Sequence, residues 1–166
     1  DAANEAQKEV LFAKIQNRLG DLNGKTVAIW GLSFKPNTDD MREASSLVLI
    51  RALLEAGAKV RAHDPESMKA AELVLAVGGE VEFYDDPYTA LEGGDALAIV
   101  TEWKAFRSPD FSRVKELLAE PLILRGITNL ERIEQKIDIV INKTSIKKSF
   151  LHRYPHQLSG GQRQRV

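Results

Sequence analysis

The chain has no cysteine in its 166 residues. That absence excludes disulfides, thiolate metal sites and thiol nucleophiles. Charge of one sign is also missing: 23 basic residues stand against 24 acidic ones, for a net charge of −1. No whole-chain electrostatic case for nucleic acid or membrane surfaces follows from that balance. Nor is there an apolar run near the ~18 residues of a membrane-spanning helix. No signal peptide is visible at Asp1, so a cytoplasmic protein is expected. Three histidines (His63, His152 and His156) have no metal-like company, so no metal is expected. The glycine-rich dinucleotide fingerprint is missing as well. Gly31 stands alone, with Ser33, Lys35 and Asn37 where spaced glycines would be required, which argues against NAD binding in the Rossmann manner. No phosphate loop of the G-x-x-x-x-G-K-[ST] type occurs either.

What is present is an ordinary globular composition, 43% hydrophobic and 28% charged, enough for one domain with its own core. Apolar residues near helical spacing (Val10, Leu11, Ile15 and Leu19) predict an amphipathic helix over 2–20, with Gly20 as its stop. Strands are expected at 25–32, 59–63, 81–84, 96–101 and 121–124, the first and fourth of them as apolar runs suited to burial on both faces. Helices are expected at 45–56, 66–77, after Pro87, and at 111–119. Strands alternating with helices specify an α/β fold, a doubly wound Rossmann-like parallel sheet of about five strands in the order 3-2-1-4-5. An added C-terminal helical segment is expected over 130–151, with Ile133, Ile137 and Ile141 in its apolar stripe. The expected organisation is therefore a domain over 1–125 with 126–166 packed on it.

In that strand order the connections after strands one and four leave to opposite sides. The crevice at their carboxyl ends is the topological switch point, where open α/β sheets bind ligands. The loop that opens there after strand one is about a dozen residues long, well beyond the ~2–6 of most such connections. It carries Lys35 and Arg42 for an anion and leads into Ser45 and Ser46, at a predicted helix N-terminus with free N–H groups. Asp64, at the end of strand two, sits where a ribose-binding acid would lie. Without the glycines it reads as a turn and helix-cap residue.

The stretch Phe34-Lys35-Pro36-Asn37-Thr38-Asp39-Asp40-Met41-Arg42-Glu43 and its surroundings, over about residues 1–120, resemble the C-terminal, UDP-binding domain of the UDP-glucose dehydrogenase family. The resemblance implies that Phe34 and Lys35 meet a UDP-sugar, and that Arg42 reaches an NAD cofactor held by another domain. It also implies oxidation through a cysteine nucleophile, and this chain has none. The family's later Phe-Asp-Gly-Arg-Asn landmark is not matched by Leu124-Arg125-Gly126-Ile127-Thr128-Asn129, so no role passes to Arg125.

From about residue 129 the sequence changes character. Arg153 to Val166 resembles the signature segment of ABC-transporter ATPases of the oligopeptide and nickel importer type. Ser159, Gly160, Gly161 and Gln162 stand as the vestigial signature motif. Two ancestries in one chain suggest a chimeric or engineered, non-catalytic scaffold. The alternatives are a module with weak affinity for UDP, UDP-sugar, phosphate or sulfate, and a natural fragment of an NAD-dependent UDP-glucose 6-dehydrogenase. No bound cofactor of its own, no nucleic-acid partner and no membrane partner are expected, and the sequence leaves the oligomeric state open.

Overall fold

A computed structural model describes residues 2–75, 81–127 and 129, with backbone alone over 2–9. The order is α1 (Ala2–Leu19), β1 (Thr26–Trp30), α2 (Ser45–Glu55), β2 (Lys59–His63), α3 (Met68–Leu75), β3 (Val81–Phe83), α4 (Pro87–Leu91), β4 (Ala96–Ile99) and α5 (Phe111–Leu124). The described strands form one sheet in the order β3-β2-β1-β4. Every pairing is parallel, with Ala28 opposite Arg61 on one side and Leu97 on the other.

Central β1 is buried on both faces, as its apolar run implies, with Val27, Ala28, Ile29 and Trp30 at most 1% exposed. Alternation along the strand sends Val27 and Ile29 to one face and Ala28 and Trp30 to the other. The first face packs under Leu11 and Ile15 of α1 and Leu49, Ile50 and Leu53 of α2. The second packs under Leu91 of α4 and Val114 and Leu118 of α5. Trp30 anchors this second core, edge-on to Tyr88 at 5.3 Å and tilted against Phe106 at 5.4 Å. Its indole N–H donates to the Pro87 carbonyl at 2.8 Å, so the polar end of a buried side chain is satisfied.

The expected strand at 121–124 is corrected: these residues are the last turn of α5. Four apolar residues are too short a run for their pattern to separate strand from buried helix. The end of α5 shows which applies. The Ile127 amide donates to the Leu122 carbonyl and the Gly126 amide to the Ile123 carbonyl, with Gly126 at φ +83°. This paired bonding is the Schellman cap, and it needs a helix before it. The helix runs through Pro121, which has no N–H to give the Leu117 carbonyl one turn back. At the other end Asp110 caps the helix through the Ser112 and Arg113 amides. The order 3-2-1-4-5 therefore becomes 3-2-1-4 among the described residues. The expectations for 130–166, the Ile137 stripe and Ser159 to Gln162 among them, lie outside those residues.

Candidate functional site

The geometry at the carboxyl end of the sheet begins with Gly31, which follows β1 at φ +90°. A Cβ there would stand 2.7 Å from both Cβ and the backbone nitrogen of Thr101, so only glycine lets the turn after β1 pass the turn after β4. The next two residues are held by three different elements. The Leu32 amide donates to Asp64 Oδ2 at 2.7 Å, and the Leu32 carbonyl accepts from the hydroxyl of Ser46 in α2. The Ser33 amide also faces Asp64 Oδ2, at 3.3 Å, while Thr101 Oγ1 donates to the Ser33 carbonyl at 2.6 Å. Every backbone polar group of these two buried residues has a partner, as burial demands.

Beyond Ser33 the chain leaves the protein surface. The Phe34 amide donates to the Asp40 carbonyl at 2.8 Å, which closes 34–40 into a compact excursion. Phe34 is 55% exposed, an unusual state for a phenylalanine, and Lys35 is exposed beside it. Asn37 and Glu43 hold positive φ angles of 61° and 55°. Asparagine tolerates that region, whereas for glutamate it stores strain of about 1–3 kcal/mol. Met41 turns inward and pins the far side of the loop to the core.

Arg42 lies on the outer side, almost fully exposed, gripped by Asp40 through Nε to Oδ1 at 2.9 Å and Nη2 to Oδ2 at 2.8 Å. Those hydrogen bonds, with the added charge of Lys35, hold the Asp40 carboxyl down at about 2. Asp40 in turn raises the Arg42 guanidinium above its usual value. The α2 N-terminus lies at the far end of this loop, where the sequence places it. Its N-cap is Ala44, with no side-chain cap, and Ser46 points inward to Leu32. Ser45 is exposed at the uncapped end, so that end keeps open N–H groups.

Asp64 does more than its sequence position suggested. It caps the turn into α3 as expected, Oδ1 accepting from the Glu66 and Ser67 amides at 2.9 Å each. Its Oδ2 also accepts from the Trp103 indole at 3.0 Å, so one buried carboxylate joins the ends of β1, β2 and β4. Burial pushes its pKa up, but the amides of Leu32, Glu66, Ser67 and Ser33 together bring it below the ordinary aspartate value. Both oxygens are spent on protein donors, so neither is left for a ribose. The sequence places the Glu102-Trp103-Lys104 turn at this crevice, but not the Trp103 bond to Asp64, the role of Thr101 or the inward turn of Ser46, because each rests on a contact with residues far away in the chain.

Other places offer less. A cavity of about 600 Å³ opens beside the starts of β1 and β2, lined by Thr26, Lys59, Arg61, Glu82 and Glu92 among others. Its Arg61 is already engaged: over the Tyr84 ring at 4.2 Å, 3.5 Å from Glu82, and bonded to the Glu92 carbonyl. No group of three or more metal-ligating side chains occurs among the described residues. No described helix is long and apolar enough to cross a membrane.

Fold and site together define a doubly wound, Rossmann-like α/β domain with a cationic loop at its switch point. The chain belongs to the UDP-glucose/GDP-mannose dehydrogenase family, whose UDP binding domain matches residues 28–132. It is 49% identical over 130 residues to a UDP-glucose 6-dehydrogenase of Pseudomonas aeruginosa, covering 76% of this chain and 29% of that protein. A UDP-glucose 6-dehydrogenase of Rhizobium meliloti is 40% identical over 135 residues, 81% of this chain and 30% of the relative. The structure of a UDP-glucose dehydrogenase from Pyrobaculum islandicum superposes with a TM-score of 0.61 at 39% identity, covering 65% of this chain and 24% of that one. The chain thus spans about three tenths of the length of the curated relatives it matches. None of these similarities supports the chimera expected from the C-terminal motif.

Proposed function

We propose that this chain is the nucleotide-binding portion of a UDP-sugar dehydrogenase, a natural piece of such an enzyme rather than an engineered scaffold. The observation that carries the reading is the pinned loop. Leu32 and Ser33 are locked to α2, β2 and the turn after β4, while the next two residues, Phe34 and Lys35, project into solvent at the switch point. An exposed aromatic ring beside an ammonium suits an anionic ligand that also has a flat or apolar part. The lysine acts as a point charge on a pyrophosphate or sugar oxygen. The uncapped N-terminus of α2 adds N–H groups and a partial positive charge on the same side.

Arg42 has a different part in this reading. It faces away from the core and is oriented by Asp40, so it is available to an anionic cofactor carried by another domain. NAD would supply the hydride acceptor there, with Arg42 reaching it from this chain's loop. The residues here bind and orient a nucleotide. With no thiol in the chain, they supply no nucleophile of the kind the family resemblance implies.

The test is a UDP titration followed by amide shifts. UDP should perturb residues 33–46, Lys35→Ala should abolish the response, and Arg42→Ala should leave it intact. Saturating UDP that leaves 33–46 silent would sink the assignment.

A further inference from the structure

Asp64 is 1% exposed, and five N–H groups converge on its carboxylate: those of Leu32, Ser33, Glu66, Ser67 and the Trp103 indole. None of these donors is a cation. They arrive in two sets, Glu66 and Ser67 on Oδ1 and the other three on Oδ2. The Oδ1 set serves the chain's own turn into α3. The Oδ2 set serves the rim, and it reaches 32 residues back to Leu32 and 39 residues on to Trp103. Helix capping needs only the first set, so the second calls for an account of its own.

We propose that Asp64 is the positioning residue of the rim: its carboxylate fixes the root of the 33–44 loop against the turn after β4, so that Phe34 and Lys35 stand preset for the nucleotide. The inference rests on the nucleotide-binding reading above and deepens it. The chemistry requires a carboxylate rather than an amide. Asparagine fills the same space but offers one acceptor oxygen and one NH₂ donor. Whichever way that amide is turned, its NH₂ faces either the Glu66 and Ser67 N–H groups or the Leu32, Ser33 and Trp103 N–H groups. Two bonds are lost one way and three the other, and donors oppose donors in a buried site, where unmet groups are costly. The rim then has to order itself when ligand arrives, and that ordering is subtracted from affinity. Trp103 contributes through the same oxygen. It is buried, its amide donates to the Thr101 carbonyl at 2.8 Å, and its indole reaches the root of the loop through Asp64 Oδ2.

The experiment compares Asp64→Asn, Trp103→Phe and Asp86→Ala with the parent chain, all at a temperature where circular dichroism shows each fully folded. Asp86 caps α4 through the Thr89 amide, so its removal lowers stability without touching the latch. Two readouts are taken: UDP affinity, and amide hydrogen exchange at Leu32–Lys35 without ligand. Asp64→Asn should weaken UDP about tenfold and speed exchange at Leu32–Lys35, while β1 and β2 exchange as in the parent. Trp103→Phe should shift both readouts in the same direction by less, and Asp86→Ala should shift neither. An Asp64→Asn chain with parental exchange at Leu32–Lys35 overturns the proposal. If that variant does not fold, parental exchange in Trp103→Phe overturns it instead. Should the parent bind no UDP, the nucleotide reading fails, and the exchange comparison still decides whether Asp64 sets the loop.

Discussion

Arg42 and Asp40 meet through two parallel hydrogen bonds on an exposed surface, and the arginine's own backbone amide adds a third to the same carboxylate. Two residues apart, they form a small clamp that fixes the guanidinium plane at the outer side of the ligand loop. Such bidentate pairing sets geometry more than stability, because solvent screens exposed ion pairs. The value of the pair lies in where it aims Arg42.

The clamp makes a pH prediction. Asp40 is held at about 2 in the folded chain, below the ~3.9 of a free aspartate, chiefly by its hydrogen bonds to Arg42. A depressed carboxyl contributes stability that is present above the unfolded value and lost as pH falls through the folded one. That contribution should be complete above about pH 4 and fade toward pH 2. In carboxyl-carbon NMR titrations Arg42→Gln should move the Asp40 midpoint up toward the ordinary value. An unmoved midpoint would mean that another group depresses it.

Gly31→Ala should destabilise the chain sharply. The added Cβ meets the Thr101 backbone at 2.7 Å, and alanine disfavours a φ of +90°. Backbone strain alone costs ~1–3 kcal/mol, and the clash adds to it by separating the turns after β1 and β4. Urea midpoints of the two chains measure the loss. Coincident midpoints would show that the close approach is not there in solution.

Ser46→Ala removes the hydroxyl that donates to the Leu32 carbonyl in a fully buried position. The stranded carbonyl should cost ~1–3 kcal/mol in thermal or chemical unfolding. Ser45→Ala, one residue earlier on the exposed side, should cost far less. Equal losses for the two variants would contradict the inward assignment of Ser46.

The C-terminal end of α5 can be read directly. Cα chemical shifts of Leu122, Ile123 and Leu124 should be displaced in the helical direction, and Asp110→Ala should cost ~1 kcal/mol through the lost N-cap. Strand-like shifts at these three residues would restore the fifth strand that their apolar run suggested.

Most of the architecture was legible in the sequence because it follows from local patterns. A continuous apolar run marks a strand covered on both faces, and β1 and β4 lie within theirs. The Asp86-Pro87 pair announced α4, since proline presets the first helical turn and aspartate caps it. The same reasoning failed at Pro121, where four apolar residues fit either period and the Schellman cap at Gly126 settles the matter through bonds that no hydropathy pattern shows. At the rim, Lys35 and Arg42 were visible as cations in a long loop, and both are exposed there.

By itself, then, the sequence determined the strand and helix alternation, the place of the switch point, and the absence of a thiol and of a dinucleotide fingerprint. These are matters of residue type and spacing, which a linear chain carries openly. Only the tertiary structure decided that Asp64 joins three strand ends, that Thr101 holds Ser33, and that Ser46 turns inward. Each is a contact across many residues, made because a buried N–H or carbonyl must find a partner when the elements pack, and such partners are chosen in three dimensions.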